Sequence, residues 1–432
     1  MMSLSAPPIP TGPAGLSALR ALLEERNLMA ALSALHKQMG NIFQITLPGF
    51  NPVVMVGPEA NRFVLVSGRE NFLWRNETDP VTALLQRGVL VVDGAEHSEM
   101  RHTMNPSLHK QAVASYVEAM VAATDQVLDK WPAEDERDML VEMRKVALLV
   151  LMQTMFHVDF ENDLHRMWKP LMKNLKFISP GLWLIWGGMP RPGYQRARQQ
   201  MDQYLHEMIT TRRSQGGANN DLLGLLVESY EDDELVRDQL LTMLIAGHDT
   251  STSLLTWVLN LIGQHPLVYE RMRAEVDQIL GVKAPNLENI GKLDYLDQVV
   301  KETLRLYPPI HLGARVAAQD IDFQGHRIQA GARVIYSIYL TQRMEAYWDQ
   351  PDSFNPDRFE AGKKQVPYTY LPFGGGPRNC IGFAFTQIEA KVVLARILQR
   401  FDLHRPNQKV HLHMGATLEP RPGVKMQIQA RK

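Results

Sequence analysis

The sequence predicts a mainly α-helical fold with a small β lobe, an α+β architecture. Apolar residues recur at helical spacing through most of residues 110–310. Shorter stretches at 41–57 and 315–340 instead alternate around Gly and Pro turns, which is typical of strands. Neither stretch is large enough to form a stable sheet alone, so we expect the two to pair with each other. The helical segments predicted from spacing are 112–131, 138–157, 192–213, 234–264 and 266–280.

The chain is predicted to form one domain over residues 1–432, because it contains no internal repeat and no Gly/Ser linker. Near the N-terminus, residues 16–40 have the spacing of a helix, which we expect to lead into a hairpin. The β lobe is predicted at approximately 40–66 and 313–340 with further strands near the C-terminus, and the helical lobe at approximately 95–310 and 382–401.

Composition and charge exclude several classes of protein. The 46 Lys and Arg residues are balanced by 47 Asp and Glu residues, so the basic excess of a nucleic-acid-binding surface is missing. The single cysteine can form neither an internal disulfide nor a cysteine-based zinc site, which favours a reducing compartment. The first residues lack the apolar core of a signal peptide, and no apolar run is long enough for a membrane span. We therefore expect a cytoplasmic protein with no nucleic-acid partner.

The lone cysteine lies in the loop PFGGGPRNCIG at residues 372–382. The residues after it have helical spacing, so Cys380 lies at or just before a helix N-terminus, where the helix dipole and free amides favour a thiolate. The glycines let the backbone approach a flat ligand closely, and Arg378 adds a cation able to bind a carboxylate. A lone cysteine is more often buried and unreactive, but this context favours an anionic sulfur.

This loop resembles the cysteine-ligand loop of the cytochrome P-450 family, F-x-x-G-x-R-x-C-x-G, at Phe373, Gly374, Gly376, Arg378, Cys380 and Gly382. The resemblance implies the family's fold, a triangular helical body around a buried heme, with heme b (iron protoporphyrin IX) as the cofactor. It also implies that Cys380 is the proximal thiolate ligand of the iron, that Phe373 packs near the sulfur, and that loop amides hydrogen-bond to the sulfur.

A second motif lies within LLTMLIAGHDTSTSLLTWVL, residues 240–259. Ala246 and Thr250 are four residues apart and share a helical face, with Asp249 on the next stripe. Gly247 and the Thr/Ser cluster predict a local break in the helical hydrogen bonding that admits water or dioxygen, with ordinary small-residue packing as the alternative. The segment is similar to the family's A-G-x-D/E-T oxygen-activation motif. The resemblance implies that Ala246 borders heme and substrate, that Thr250 holds the hydrogen bonds around dioxygen, and that Asp249 supplies protons.

A third motif lies in KETLRLYPP, where Glu302 and Arg305 are three residues apart on a helix and can pair. Such a pair is usually solvated and contributes only about 0.3–0.5 kcal/mol. The segment resembles the family's E-x-x-R helix, and FNPDRF at 354–359 resembles the segment that supplies a second arginine, Arg358. The resemblance implies a structural, non-catalytic cluster that braces the loop behind the heme.

Heme carries two propionates, which must be neutralised where they are shielded from water. His97 and Arg101 resemble the family's H-x-x-x-R, and Arg315 in LGARVA resembles its arginine before a strand. Together with Arg378, these residues are the predicted propionate partners. For His97, a position on the surface of a helix is the alternative.

The motifs occur in the family's order, so the resemblance implies a monooxygenase that inserts one atom of O2 into a lipophilic small molecule by hydroxylation or epoxidation. No flavin or iron–sulfur sequence follows residue 432, so electrons are expected from a separate ferredoxin or flavodoxin and its NAD(P)H reductase. The protein is expected to be a monomer. A basic patch that could bind the carrier, unless it is a plain solvated face, comprises His109, Lys110, Lys363 and Lys364. Two rival functions are open, a peroxide-dependent peroxygenase, against which Asp249 and Thr250 count, and a non-catalytic heme-thiolate sensor.

A fatty acid or a terpenoid-like molecule is the expected substrate, because Arg378 and the helix after Cys380 resemble the family branch that contains fatty-acid hydroxylases. The apolar stretch FISPGLWLIWGGMPRP at 177–192 is predicted to be a lid, with core packing as the alternative. The positions at which the family builds its pocket are, in this sequence, Val81, Leu84, Leu85, Leu184, Ala246, Ile310, Leu312 and Leu418.

Overall fold

The structure, a computed structural model, describes residues 4–180, 191–215 and 221–431. Helices make up most of it, which confirms the predicted mainly α class. The helices are α1 (Gly12–Glu25), α2 (Leu28–Met39), α3 (Pro58–Arg62), α4 (Pro80–Leu85), α5 (Gly94–Leu108), α6 (Lys110–Ser115), α7 (Val117–Leu128), α8 (Met139–Met155), α9 (Glu161–Ile178), α10 (Tyr194–Ser214), α11 (Leu222–Ser229), α12 (Asp233–Gln264), α13 (Pro266–Ile279), α14 (Asp294–Leu306), α15 (Ile338–Thr341) and α16 (Phe383–Arg400).

The strands form small sheets at the edge of the helical body. They are β1 (Ile42–Gln44), β2 (Val53–Met55), β3 (Phe72–Leu73), β4 (Glu134–Asp138), β5 (Leu312–Ala317), β6 (Ile321–Phe323), β7 (His326–Ile328), β8 (Arg333–Ser337), β9 (Phe401–His404), β10 (His411–Met414), β11 (Leu418–Arg421) and β12 (Lys425–Ala430). The largest sheet has the order β1-β2-β8-β5-β3.

The predicted pairing of the two distant strand stretches is confirmed. The antiparallel β1–β2 hairpin lies beside β8, with Val54 opposite Ile335 in a parallel register. Successive residues of these strands point to opposite faces of the sheet, and both faces are buried. Val54 packs in one hydrophobic cluster with α1 and α2, while Val53 packs in another.

Two helices predicted to be continuous are each divided. Residues 16–40 form α1 and α2, because Arg26 adopts a left-handed φ of 53° and the Asn27 side chain accepts a hydrogen bond from the Ala30 amide at 2.8 Å. Asn is a preferred N-cap residue, so Asn27 starts a new helix where apolar spacing alone predicted continuation. Residues 112–131 likewise belong to α6 and α7, which are separated at Tyr116.

Helix α12 runs through the centre of the helical body and packs extensively on α8. Both helices are almost wholly buried, and many of the buried side chains of α12 are polar, so neither helix has an exposed polar face along most of its length. Each fully buried leucine or valine there contributes about 1.5–3 kcal/mol relative to exposure. The scaffold behind the candidate site is therefore strongly stabilised.

In the part of the chain that the structure describes, none of the helices is long and apolar enough to cross a lipid bilayer. Most of the predicted lid at 177–192, including Leu184, lies outside the described residues.

Candidate active site

Cys380 lies near the end of a loop that runs from Leu371 into α16. Three backbone hydrogen bonds shape this loop: the Gly374 amide donates to the Leu371 carbonyl at 3.0 Å, the Asn379 amide to the Gly376 carbonyl at 3.1 Å, and the Cys380 amide to the Phe373 carbonyl at 2.8 Å. The thiol is exposed, and the Gly382 amide donates a hydrogen bond to its sulfur. The loop therefore presents an accessible sulfur to a ligand.

Opposing influences act on the Cys380 thiol. The surrounding protein atoms raise the pKa of the thiol above its ordinary value, whereas the Gly382 amide and the positive charge of Arg101 lower it. Because the first influence is the largest, the net effect raises the pKa of the thiol.

Gly376 lets the cysteine loop press against the turn formed by Phe63–Ser67. Its φ is 66°, and a Cβ added there would lie 2.2 Å from the carbonyl oxygen of Leu65. The left-handed backbone and the close contact both exclude a side chain. On its other side the loop is fixed by Phe373, whose ring meets that of Phe383 edge-on with centroids 4.7 Å apart.

Three arginines and a histidine lie in or beside the cysteine loop: Arg378 belongs to the loop, His97 and Arg101 to α5, and Arg315 to β5. Burial lowers the pKa of Arg378 to about 10; Asp93 opposes that shift, and the positive charges of Arg315 and Arg101 add to it. Arg378 nevertheless stays charged at neutral pH. Burial, Arg378 and Arg101 together lower the pKa of His97 to about 4, so its imidazole is neutral. The structure therefore brings the four predicted propionate partners together.

The charge of this cluster suits a dianion. Asp93 lies 2.7 Å from Arg378 and also accepts hydrogen bonds from the amides of Trp74 and Arg75. Three guanidinium groups less one carboxylate leave an excess of two positive charges, which equals the charge of two propionates. The residues present thus fit a heme at this site. Buried His97 lies in the cluster, so the alternative of a surface histidine does not hold.

The buried central part of helix α12 has an accessible surface at one place. Every residue from Leu235 to Ile262 is buried except Ala246, Gly247 and Thr250, which we call the α12 notch. The Thr250 hydroxyl donates to the Ala246 carbonyl at 2.7 Å. The helix is continuous here, so the predicted break in its hydrogen bonding is absent. The hydroxyl instead adds a bond to the existing helical turn.

Asp249 is placed differently from the expectation. Its buried carboxylate lies 3.0 Å from Arg144 of α8 and accepts a hydrogen bond from the Thr417 hydroxyl at 2.9 Å. Arg144 also contacts Glu419 of β11. The carboxylate is therefore held by α8 and the β10–β11 hairpin instead of by its neighbour Thr250.

Glu389 is a buried acid that the motifs did not reveal. It lies in α16, and the hydroxyl of Ser251, the residue after Thr250, donates a hydrogen bond to its carboxyl group. Burial raises the pKa of Glu389 to about 8, and the Ser251 hydroxyl partly opposes that shift. Helical periodicity could have indicated it, because Glu389 is four residues after buried Phe385 and falls on the apolar face of α16. This bond also joins the helix after Cys380 to α12 beside the notch.

We expect Glu389→Gln to remove a pH dependence of stability. The folded-state pKa of Glu389 lies above its unfolded value, so its contribution is fully present below the unfolded pKa and is lost as the pH rises towards about 8. The wild type should therefore lose about 1.4 kcal/mol of unfolding free energy per pH unit over this interval relative to the variant. Urea denaturation at pH 5 to 8 measures the difference. Exposed Glu288→Gln is the control, and parallel profiles for Glu389→Gln and wild type would contradict the buried acid.

The predicted pairing of Glu302 with two arginines is present, with Glu302 and Arg305 fully buried and Arg358 half-buried. Arg305 donates to both carboxylate oxygens of Glu302, at 2.7 and 2.8 Å, and Arg358 lies 3.3 Å from one of them. The solvated pair considered from sequence therefore does not occur. Arg305 also donates to the backbone carbonyls of Gln342, Pro351 and Ser353.

The predicted pocket residues fall into two groups. Ala246 and Ile310 are exposed, and Val81 and Leu312 are half-buried, so these four can contribute surface to a cavity. The prediction is not supported for three others, because a pocket wall must present surface and these side chains are fully buried in hydrophobic clusters. They are Leu84, Leu85 and Leu418.

The family model for cytochrome P-450 matches residues 7–427, nearly the whole chain that carries these features. The chain belongs to the cytochrome P-450 family. A Mycobacterium tuberculosis protein assigned as cytochrome P-450 139 is 30% identical, with 92% of this chain and 97% of that protein covered. Cyclooctatin synthase of Streptomyces melanosporofaciens is 30% identical (94% and 90% covered), and cyclooctat-9-en-7-ol 5-monooxygenase from the same organism is 29% identical (84% and 83%).

The architecture agrees with this membership. The crystal structure of the cytochrome P-450DA heme domain superposes with a TM-score of 0.88 at 25% identity, covering 100% of this chain and 98% of that one. The predicted P-450 fold, heme b cofactor and monooxygenase class are therefore confirmed. This P-450 belongs with bacterial relatives and uses O2 with electrons from redox partners.

Proposed function

We propose that Cys380 would bind the heme iron as a thiolate, and that Arg101, Arg315 and Arg378 would bind the propionates beside His97. An accessible sulfur next to a cluster with two excess positive charges is the observation that carries this assignment. When bound, the heme supplies the redox chemistry that activates O2. Gly382 and Arg101 stabilise the negative charge on the sulfur, and Gly376 fixes the position of the loop that carries it.

The α12 notch is proposed as the place that receives dioxygen. Ala246 leaves room because its side chain is small, Gly247 lets Leu151 of α8 pack closely behind the notch, and Thr250 provides the hydroxyl. By rotating away from the Ala246 carbonyl, the Thr250 hydroxyl can donate a hydrogen bond into the notch and carry a proton there. Asp249 can supply that proton once Arg144 shifts its contact to Glu419 alone.

A terpenoid-like lipophile is the proposed substrate, with a fatty acid as the second choice. Two relatives are named for cyclooctat-9-en-7-ol and cyclooctatin. The exposed Ile310 and half-buried Val81 and Leu312, together with Ala246, offer an apolar surface that suits such a molecule.

Electrons are proposed to come from a ferredoxin or flavodoxin and its NAD(P)H reductase, delivered to a monomer. The four residues predicted to form a basic patch are all exposed, which suits transient binding of an acidic carrier: His109, Lys110, Lys363 and Lys364. Lys363 lies 3.2 Å from Glu360, so part of the patch's charge is already balanced.

Thr250→Ala tests the proposed oxygen-activating site. Terpenoid alcohols and fatty acids are first screened for a shift in the ferric heme spectrum, and the best ligand is then turned over with NADH and a ferredoxin system. We expect Thr250→Ala to keep the spectral shift but to lower product formed per NADH by about 10-fold or more, with peroxide released instead. Thr252→Ala is the matched control, since the Thr252 hydroxyl donates to the His248 carbonyl at 2.7 Å on a buried side of the helix.

Other outcomes would redirect the assignment. Unchanged coupling in Thr250→Ala would mean that protons arrive by a different route. Turnover with peroxide but not with NADH would favour the peroxygenase, whereas bound heme without any product would favour the sensor.

A further inference from the structure

Gln342 is a fully buried amide between the E-x-x-R helix and the cysteine loop. Its side-chain nitrogen donates to the carbonyls of Leu304 and Arg305, at 3.0 and 2.9 Å. Its side-chain oxygen accepts a hydrogen bond from the Leu371 amide at 2.8 Å. All three partners are backbone groups, so Gln342 contributes the only side chain in this set of hydrogen bonds.

These bonds satisfy backbone carbonyls at the C-terminal end of α14. The last four carbonyls of a helix have no partner inside it, and Leu304 and Arg305 lie within the last turn of α14. Gln342 satisfies both, and its own backbone carbonyl accepts a hydrogen bond from Arg305 at 2.9 Å. Side chain and backbone of residue 342 are thus tied to α14.

Leu371 is the residue at which the cysteine loop begins. Its carbonyl accepts from Gly374, and Phe373 accepts from the Cys380 amide. A continuous path of hydrogen bonds and covalent chain therefore leads from α14 through Gln342 to the sulfur. At the far end, Arg101 holds Asn379 by its carbonyl at 2.8 Å.

We infer that Gln342 is a positioning residue that anchors the start of the cysteine loop to α14 and thereby keeps the Cys380 sulfur on the iron. The inference rests on the proposed ligation by Cys380. Glutamine suits the position because one side chain must donate twice and accept once. Methionine has a similar length and makes none of these bonds, whereas glutamate keeps the acceptor for Leu371 and loses the donors to α14.

Two variants at position 342 test the anchor, and a control at a second buried glutamine separates anchoring from general stability. In Gln342→Met we expect amide exchange in the peptide containing Leu371 to accelerate about 10-fold or more. In the reduced carbon monoxide complex, conversion from the thiolate band to the neutral-thiol band should accelerate by roughly 10-fold. Gln342→Glu loses the donors to α14 and buries a carboxyl group against the carbonyls of Leu304 and Arg305, so it should also accelerate both processes.

Gln239→Met is the matched control. Gln239 is also fully buried, donates to the Arg87 carbonyl at 2.9 Å and accepts from the Val89 amide at 2.8 Å, but it holds a different loop. Wild-type exchange at Leu371 in Gln342→Met, or equal band conversion in Gln342→Met and Gln239→Met, would overturn the inference. If wild-type protein shows no thiolate band, the ligation by Cys380 fails, while the exchange measurement still decides the anchor.

Discussion

Cys380→Ala is expected to abolish the strongly red-shifted band of the reduced carbon monoxide complex and to reduce product formation below detection. That band requires an anionic sulfur on the iron. Alanine removes the donor but leaves the arginine cluster intact, so the variant should still take up heme weakly through its propionates. Absorption spectra of the reduced protein with and without carbon monoxide measure the result.

The chain offers a direct control for this variant. Cys380 is its single cysteine, so a maleimide should label heme-free wild type once and Cys380→Ala not at all. Bound heme should protect the wild-type thiol from the reagent. A variant that keeps the red-shifted band would show that another group binds the iron.

Glu302→Ala is expected to cost about 3–5 kcal/mol of unfolding free energy. The carboxylate and Arg305 are completely buried, and removal of the anion leaves two guanidinium groups without their counter-charge. Such a loss is a large share of the stability of a typical domain, about 5–15 kcal/mol. Guanidinium chloride denaturation measures it, together with the fraction of protein that retains heme.

A double variant distinguishes a simple ion pair from a cluster that also fixes the neighbouring backbone. Replacing a buried pair by apolar residues is often nearly neutral, but Arg305 also satisfies three backbone carbonyls. Glu302→Leu combined with Arg305→Leu should therefore remain at least as unstable as Glu302→Ala. Glu24→Ala, which removes an exposed helical pair with Arg20, should change stability by about 0.5 kcal/mol or less. Recovery of stability in the double variant would contradict the bracing role.

The features that the sequence predicts well are local. The cysteine loop carries its chemistry within eleven consecutive residues, so the glycines, Arg378 and the helix after Cys380 could all be interpreted together. Helices such as α8 and α12 follow from apolar periodicity because they bury nearly all their residues. The β2–β8 pairing was predictable because each strand stretch is too small to be stable alone.

The features that the sequence does not predict depend on contacts between distant residues. Nothing near Asp249 indicates that Arg144 of α8 holds its carboxylate, and nothing near Gln342 indicates that its amide meets Leu371. The surroundings of the three buried leucines, Leu84, Leu85 and Leu418, were likewise not predicted from the sequence. A family position identifies a region of the fold, but Leu418 turns into the core, where packing decides its surroundings.

The contact between Gly376 and Leu65 makes the two positions unequal in their tolerance of mutation. The group that meets residue 376 is the main-chain oxygen of residue 65, which every amino acid possesses. A saturation library at 65 should accordingly contain functional clones with several apolar residues, since the Leu65 side chain is buried in a hydrophobic cluster. The same library at 376 should return glycine almost alone, because any larger residue displaces the loop from the Leu65 carbonyl.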